Sequence, residues 1–319
     1  MKKITLLLSF IACVGFMQAQ FLVNENFDYA VTTPMVGTGD WAIVGTSTTN
    51  PLTVTASTIT YAGYPSSGIG QELSVANTGQ DITKAFTAQL TGTLYFSVLA
   101  KITAAGSVGD YFIHFVETGS TSAFFSRLYV KFDGAKIAFG ILNASGGTYS
   151  PTYTASSYDL NTTYLLVVKV DVATAASSII VNPVMTAEPT AGWVVNTTGG
   201  TSVPAAAKGI GGINIRQGSS SADTAPTLLL DGIHVATSWN ALFGITGFST
   251  PSANAFSATV VGKKLLVKNV ANGSTVEIFS TLGAKVQSSE LVNGSIEMNN
   301  LTKGLYIVRV GKNTQKIML

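Results

Sequence analysis

The sequence predicts an all-β protein: a sandwich of many short strands followed by a second, smaller sandwich. Three observations predict it. Apolar residues recur with period two in segment after segment. No window shows a sustained apolar pattern at 3.6 spacing with capping residues, because Gly or Pro interrupts most stretches long enough to hold a helix. Only 11% of the 319 residues are charged, while Thr, Ser, Gly, Val and Ala dominate without any long polar tract, as in extracellular β proteins.

The N-terminal segment MKKITLLLSFIACVGFMQAQ reads as a signal peptide over residues 1–19. Lys2 and Lys3 form a positive region, Ile4 to Phe16 an apolar one, and Met17-Gln18-Ala19 a small-residue cleavage site, so the mature chain is expected to begin at Gln20. Cys13, the single cysteine, would be a lipoprotein acceptor only if a polar tether followed, and Val14-Gly15-Phe16-Met17 is apolar. Cleavage after Ala19 leaves no cysteine, which excludes disulfides, thiolate chemistry and Cys-ligated zinc. No later segment has the roughly twenty apolar residues a membrane-spanning helix needs.

Strands follow in order. In Thr93–Ile102 the apolar Leu94, Phe96, Val98, Ala100 and Ile102 alternate with Thr93, Tyr95, Ser97 and Lys101, which predicts one half-buried strand. Leu128, Val130 and Phe132 oppose Arg127, Tyr129, Lys131 and Asp133; after the Asp133-Gly134 turn, Ala135, Ile137, Phe139 and Ile141 complete a hairpin. Tyr164 to Val172 and Leu228 to Val235 give two more strands. Residues 20–243 are too long for a seven-stranded module and suit a larger sandwich or jelly roll. Residues 244–254, small, polar and Pro-containing, read as a linker, and residues 255–319 as a second domain.

Charge changes sign at the same place. Residues 21–251 hold eight Lys/Arg and thirteen Asp/Glu, a net −5; residues 252–319 hold eight and three, a net +5. A mildly acidic main domain offers no basic patch to nucleic acid or anionic lipid.

The C-terminal domain runs through STVEIFSTLGAKV (274–286), MNNLTKGLYIVRV (298–310) and NTQKIML (313–319), a pattern of about seven antiparallel strands. It resembles the type A C-terminal sorting domain of type IX secretion. The shared pieces are a strand ending Ile-Phe, a turn Gly283 followed by Lys285, the element Leu301-x-x-Gly304-x-Tyr306, and a Lys316-Ile317 ending. The resemblance implies a small immunoglobulin-like sandwich, recognition by the type IX machinery, passage through the periplasm and outer membrane, and removal of the domain as the cargo is released or anchored on surface polysaccharide.

The main domain opens with NENFDY (24–29) and closes with IGGINIRQGSSSADTAPTLLLDGIHVATSW (210–239). These ends resemble the opening and closing strands of concanavalin A-like jelly rolls, which implies that the chain ends meet in neighbouring strands.

Catalytic patterns are sparse. Glycosidases of such folds set carboxylates on alternate residues of one strand, and no Glu-x-Asp-x-x-Glu element occurs. The nearest, Asp110 to Glu117, puts its two carboxylates seven positions apart and so on opposite faces. Two histidines, His114 and His234, with no Gly-x-Ser-x-Gly elbow and no ligand spacing, argue against a serine hydrolase or a zinc site; both read as surface or strand-end residues. Gly209-Ile210-Gly211-Gly212 reads as a turn, since no helix follows it. No cofactor is implied, and calcium has no run of Asp and Asn to mark a site.

Binding candidates remain. His114 is placed on one face with Asp110, Phe112 and Val116, and Arg127 and Tyr129 line the polar face of a nearby strand, groups suited to stacking on and hydrogen bonding to a sugar. Trp193, read as a loop residue, is a stacking candidate and Trp239 a core plug. Thr224, in Asp223-Thr224-Ala225, resembles a bacterial O-glycosylation acceptor. The expected function is carbohydrate binding or adhesion without catalysis; the alternatives are a structural matrix role or an unrecognised polysaccharide hydrolase.

Overall fold

The computed structural model describes residues 21–218, 225–245, 256–299, 301–311 and 313–319. The signal peptide, Cys13, Thr224 and most of the linker lie outside them. The chain divides into two compact units, one ending at Thr246 and the other beginning at Gly247.

The strands of the first unit are β1 (Val23–Glu25), β2 (Trp41–Val44), β3 (Thr53–Val54), β4 (Leu73–Val75), β5 (Asp81–Gln89), β6 (Thr93–Ala104), β7 (Asp110–Glu117) and β8 (Phe124–Phe132). There follow β9 (Ile137–Ala144), β10 (Thr152–Tyr153), β11 (Thr163–Asp171), β12 (Ser177–Val181), β13 (Val194–Asn196), β14 (Ile210–Ile215), β15 (Thr227–Ala236) and one helical turn, α1 (Trp239–Leu242). They form two antiparallel sheets. The first sheet runs β13-β12-β11-β6-β15-β4-β3, with β1 also paired to β15; the second runs β10-β9-β8-β7-β14-β5-β2. The chain crosses between sheets at β1 to β2, β2 to β3, β4 to β5, β5 to β6, β6 to β7, β10 to β11, β13 to β14 and β14 to β15, which makes this a jelly-roll sandwich. Its first and last strands are neighbours, Val23 facing Val235 and Glu25 facing Ile233.

The alternation read from the sequence builds the core. Leu94, Phe96, Val98, Ala100 and Ile102 of β6, Tyr164, Leu166, Val168 and Val170 of β11, and Leu128 and Val130 of β8 all lie between the sheets. The β8–β9 hairpin turns through Asp133–Lys136, with Gly134 at φ +90°, a value that only glycine adopts readily. At the opening of the chain, the buried carboxylate of Glu25 accepts hydrogen bonds from the Phe27 amide (2.9 Å), the Tyr29 hydroxyl (3.1 Å), Trp41 Nε1 (2.9 Å) and Lys84 Nζ (2.6 Å). It thereby ties β1 of one sheet to β5 of the other.

The outer face of β6 departs from expectation. Tyr95 and Ser97 are buried rather than solvated, because a third layer covers the first sheet. Ile59, Tyr64, Trp239, Leu242 and Phe243 pack there on Leu99, Leu165 and Val167. Trp239 is the core plug its position predicts, 4% exposed and donating Nε1–H to Met185 O at 2.7 Å. Gly211 and Gly212 also differ from the expected turn: they lie inside β14, where its pairing with β5 and β7 is bulged, and only Gly209, at φ +60°, turns.

The second unit comprises β16 (Ser257–Val261), β17 (Lys264–Lys268), β18 (Thr275–Ser280), β19 (Lys285–Glu290), β20 (Ser295–Glu297), β21 (Leu305–Val310) and β22 (Asn313–Met318). These seven make a two-sheet sandwich, β16-β17-β20 on β19-β18-β21-β22, around Leu265, Val276, Ile278, Tyr306, Val308 and Ile317.

Candidate functional site

With the first sheet covered, the outer face of the second sheet carries a cluster of cations and rings. The strands that carry them are irregular. The β7–β8 pairing shifts register between Tyr111 and Ile113 and again between Ile113 and Phe115, and Ser126 of β8 adopts φ +51°, as bulged strands do. The consequence corrects the even-numbered face read from alternation: Phe112, Ile113 and Phe115 all enter the core, while Tyr111 joins His114 outside.

Tyr111 is the hub that sequence reasoning missed. The Arg216 guanidinium lies 4.2 Å from its ring centroid and that of Arg127 5.1 Å. The rings of His114 and Tyr129 each stand 5.4 Å away, and Tyr129 passes the contact to Tyr153 at 6.4 Å, which carries Lys131 at 4.4 Å. Cations and rings thus alternate across four strands, an arrangement in which each guanidinium or ammonium meets the negative face of a π system. Tyr153 lies flat on the strand at Gly140, where a Cβ would come within 2.7 Å of its ring.

Asp110, His114, Arg127 and Tyr129 therefore do come together. Asp110 accepts from Arg216 at 2.8 Å, and Arg127 donates to Ser145 Oγ at 2.7 Å. His114 is not a surface residue: it is 2% exposed, because the bulge turns it under Phe124, 4.3 Å away. Burial, with further depression by Arg127 and Arg216, lowers its pKa to about 3, so it is neutral in ordinary solution. Burial likewise raises the hydroxyl pKa values of Tyr111 and Tyr129. Trp193 belongs elsewhere. Its ring packs 6.1 Å from Trp239 and under Lys169, and its Nε1–H donates to Pro189 O, all on the covered side of the sandwich.

His234 is also buried rather than at a surface, 1% exposed between Phe21 and Tyr64. Its Nε2 lies 2.6 Å from Ser66 Oγ and its Nδ1 2.9 Å from Leu242 O. This Ser–His pair is sealed by rings, with burial lowering the imidazole pKa to about 4, and it gives no substrate a path to the hydroxyl. Among the described residues, no group of three or more His, Cys, Asp and Glu is placed to hold a metal ion.

In the second unit Gly283 turns the β18–β19 hairpin at φ +83°, and Lys285 pairs with Glu277 at 3.2 Å. Leu301 packs on the core. Gly304 exchanges backbone hydrogen bonds with Leu319, the Tyr306 hydroxyl donates to Thr302 O, and Lys316 stands exposed beside the buried Ile317. The family model of the secretion system C-terminal sorting domain matches residues 251–319. This tail is a sorting domain. Such a tail implies export to the cell surface or the extracellular space, with the type IX machinery as the partner. No helix of the described residues is long and apolar enough to cross a membrane.

No curated protein matches the chain. Among solved structures, it is similar to an alginate lyase from a Chlorella virus at 9% identity and TM-score 0.43, over 68% of this chain and 99% of that one. It is similar to an endo-β-1,4-glucuronan lyase from the fungus Trichoderma reesei at 6% identity and TM-score 0.43, over 72% and 100%. The cellulose induced protein Cip1 follows at 13% and 0.37, over 62% and 92%. Likeness this remote assigns no activity, and the fold rests on the strand order itself.

Proposed function

We propose that the exported unit is a carbohydrate-binding or adhesive protein that works without catalysis, its ligand held on the outer face of the second sheet. The observation that carries this is the alternation of Arg216, Tyr111, Arg127, Tyr129, Tyr153 and Lys131 on the outer face of the second sheet. Aromatic rings stack on the C–H faces of sugars, and fixed donors orient the hydroxyls. The carboxylates that an acid–base pair would need are engaged: Asp110 with Arg216, and Glu117 with Lys208 at 3.1 Å and the Ala205 amide at 2.8 Å.

The test is a glycan array probed with the purified full chain, alongside reducing-end assays on the same polysaccharides. The expected result is retention on a defined set of glycans with no release of new ends. Retention on none would favour a structural role in a surface matrix, and release of new ends would make the protein an enzyme.

A further inference from the structure

We infer that this face is built for an anionic sugar, a uronate carboxylate or a sulfate ester, bound by the guanidinium of Arg127. The inference rests on the carbohydrate-binding reading and specifies the ligand's charge.

Arg127 is 6% exposed, and a guanidinium removed from water is ordinarily matched by a carboxylate. This one is not. Among the described residues no acid lies within ion-pair distance of it. Its Nη2–H reaches Ser145 Oγ at 2.7 Å and the side chain also hydrogen-bonds the Tyr129 hydroxyl, while the buried Nε has no hydrogen-bond partner. Arg216, on the same face, shows what completion looks like: it binds Asp110 at 2.8 Å and Tyr111 O at 3.1 Å. The remaining carboxylate of that corner, Asp81, accepts from the Gln217 amide at 2.8 Å, and His114 is neutral.

Three rings hold the Arg127 guanidinium in place, Tyr111, Phe124 and Tyr149, at 5.1, 5.4 and 4.9 Å. Such contacts orient a cation and offset part of its desolvation, but they leave its charge in place. A planar fork fixed in this way suits a carboxylate or sulfate. A second, independent unpaired group lies two strands away in the same sheet, on β14. The buried Asn214 Oδ1 has no donor, and Asn214 faces His114 in the β14–β7 register. An unmatched donor and an unmatched acceptor on one face are what a sugar bearing both an acid group and hydroxyls would satisfy. Tyr149 is the way in: 51% exposed on the loop between β9 and β10, it is the ring an arriving ligand would displace.

The experiment compares polygalacturonate with its carboxyl-reduced form, which keeps the linkage and loses the charge, and dextran sulfate with dextran, using affinity electrophoresis of the full chain. At least one acidic polymer is expected to bind roughly tenfold or more tightly than its neutral counterpart, the carboxylate and sulfate arms telling the two sources apart. Arg127→Lys, which keeps the charge and loses the fork, and Arg127→Gln should each remove most of that preference. Equal binding of acidic and neutral forms would overturn the inference and leave carbohydrate binding standing. Binding to neither would overturn both. Acidic binding unchanged in both variants would also overturn it, since the net +5 of residues 252–319 would then be the cause. Thermal melts check that the variants fold, and the wild-type comparison of charged and reduced polymer needs no variant at all.

Discussion

The two outer faces of the jelly roll have opposite fates. On the first sheet, residues that alternate as polar or aromatic are buried under a layer supplied by α1 and two long loops, and their hydrogen bonds close locally: Tyr64 hydroxyl to Gly232 O at 2.6 Å, Trp239 Nε1 to Met185 O, Trp193 Nε1 to Pro189 O. On the second sheet, the rings pack against cations, and at Arg127 and Asn214 the hydrogen bonding is incomplete. Native interiors satisfy nearly all buried polar atoms; Asn26 Oδ1 and Gln80 Oε1 are unpaired elsewhere in the unit, but Arg127 and Asn214 are the two that share one outer face, and on the proposed reading a ligand would complete them.

The largest test of that contrast is Trp239→Ala. It removes a 4% exposed indole that touches Tyr95, Trp193 and Phe243, and should cost about 3–5 kcal/mol, read as a lowered denaturant midpoint of the main unit. Glycan retention below the melt should be unchanged. A loss of binding at full fold would mean that the covered face takes part in recognition.

Acid comes next. His114 and His234 are held by burial at about 3 and about 4, below the ~6.5 of an unfolded chain. The unfolded state therefore takes up more protons, and each histidine loses up to about 1.4 kcal/mol of stability per pH unit as pH falls below about 6.5. Asp231, fully buried on β15 three residues before His234, works the other way. Burial raises it to about 7 against the hydrogen bonds from Gly232 and Ile59, so its contribution is present at low pH and lost as pH rises through 7. On the covered face the two terms oppose each other between pH 6.5 and 5, so His114 carries most of the remaining slope, with Asp81, whose carboxyl pKa burial also raises, pulling the other way. Urea midpoints across that range should fall with pH in the wild type, flatten in His114→Gln and steepen in Asp231→Asn. An unchanged slope in His114→Gln would break the assignment.

Much of this fold was legible because alternation is a local signal. The core strands, the Asp133-Gly134 hairpin and the sorting domain all follow from residues near one another in sequence. What escaped was non-local. Nothing in Thr93–Ile102 tells that its second face is covered, since the cover comes from residues some forty positions earlier and more than eighty later. The bulges in β7 and β8 displaced the site by one residue: Phe112 was expected outside and Tyr111 went unnoticed, because period two fails wherever one strand carries an extra residue. Arg216 was within reach. It follows the strand IGGINI, and a lone cation after a glycine-rich strand could have been matched to Asp110.

Trp193→Ala is a smaller perturbation, because the ring is only half-buried and Lys169 caps it at 4.3 Å. A loss of about 1–2 kcal/mol is expected, less than a full aromatic deletion, with binding to acidic glycans intact. Weakened binding would return Trp193 to the candidate site and merge the two faces into one.

The smallest stability effect, and the sharpest contrast with Trp239, belongs to Arg127→Met. Methionine can replace much of the arginine's apolar stem and stay against Tyr111, Phe124 and Tyr149 through its polarisable sulfur. It gives up the hydrogen bond to Ser145 and the cation–π contacts, while it relieves an unpaired buried charge, and substitutions of that kind are often neutral or stabilising. The midpoint should therefore move by less than about 1 kcal/mol in either direction, even as acidic-glycan binding is lost. A loss of several kcal/mol would instead make Arg127 a structural pillar like Trp239, and the two faces would then differ in composition but not in purpose.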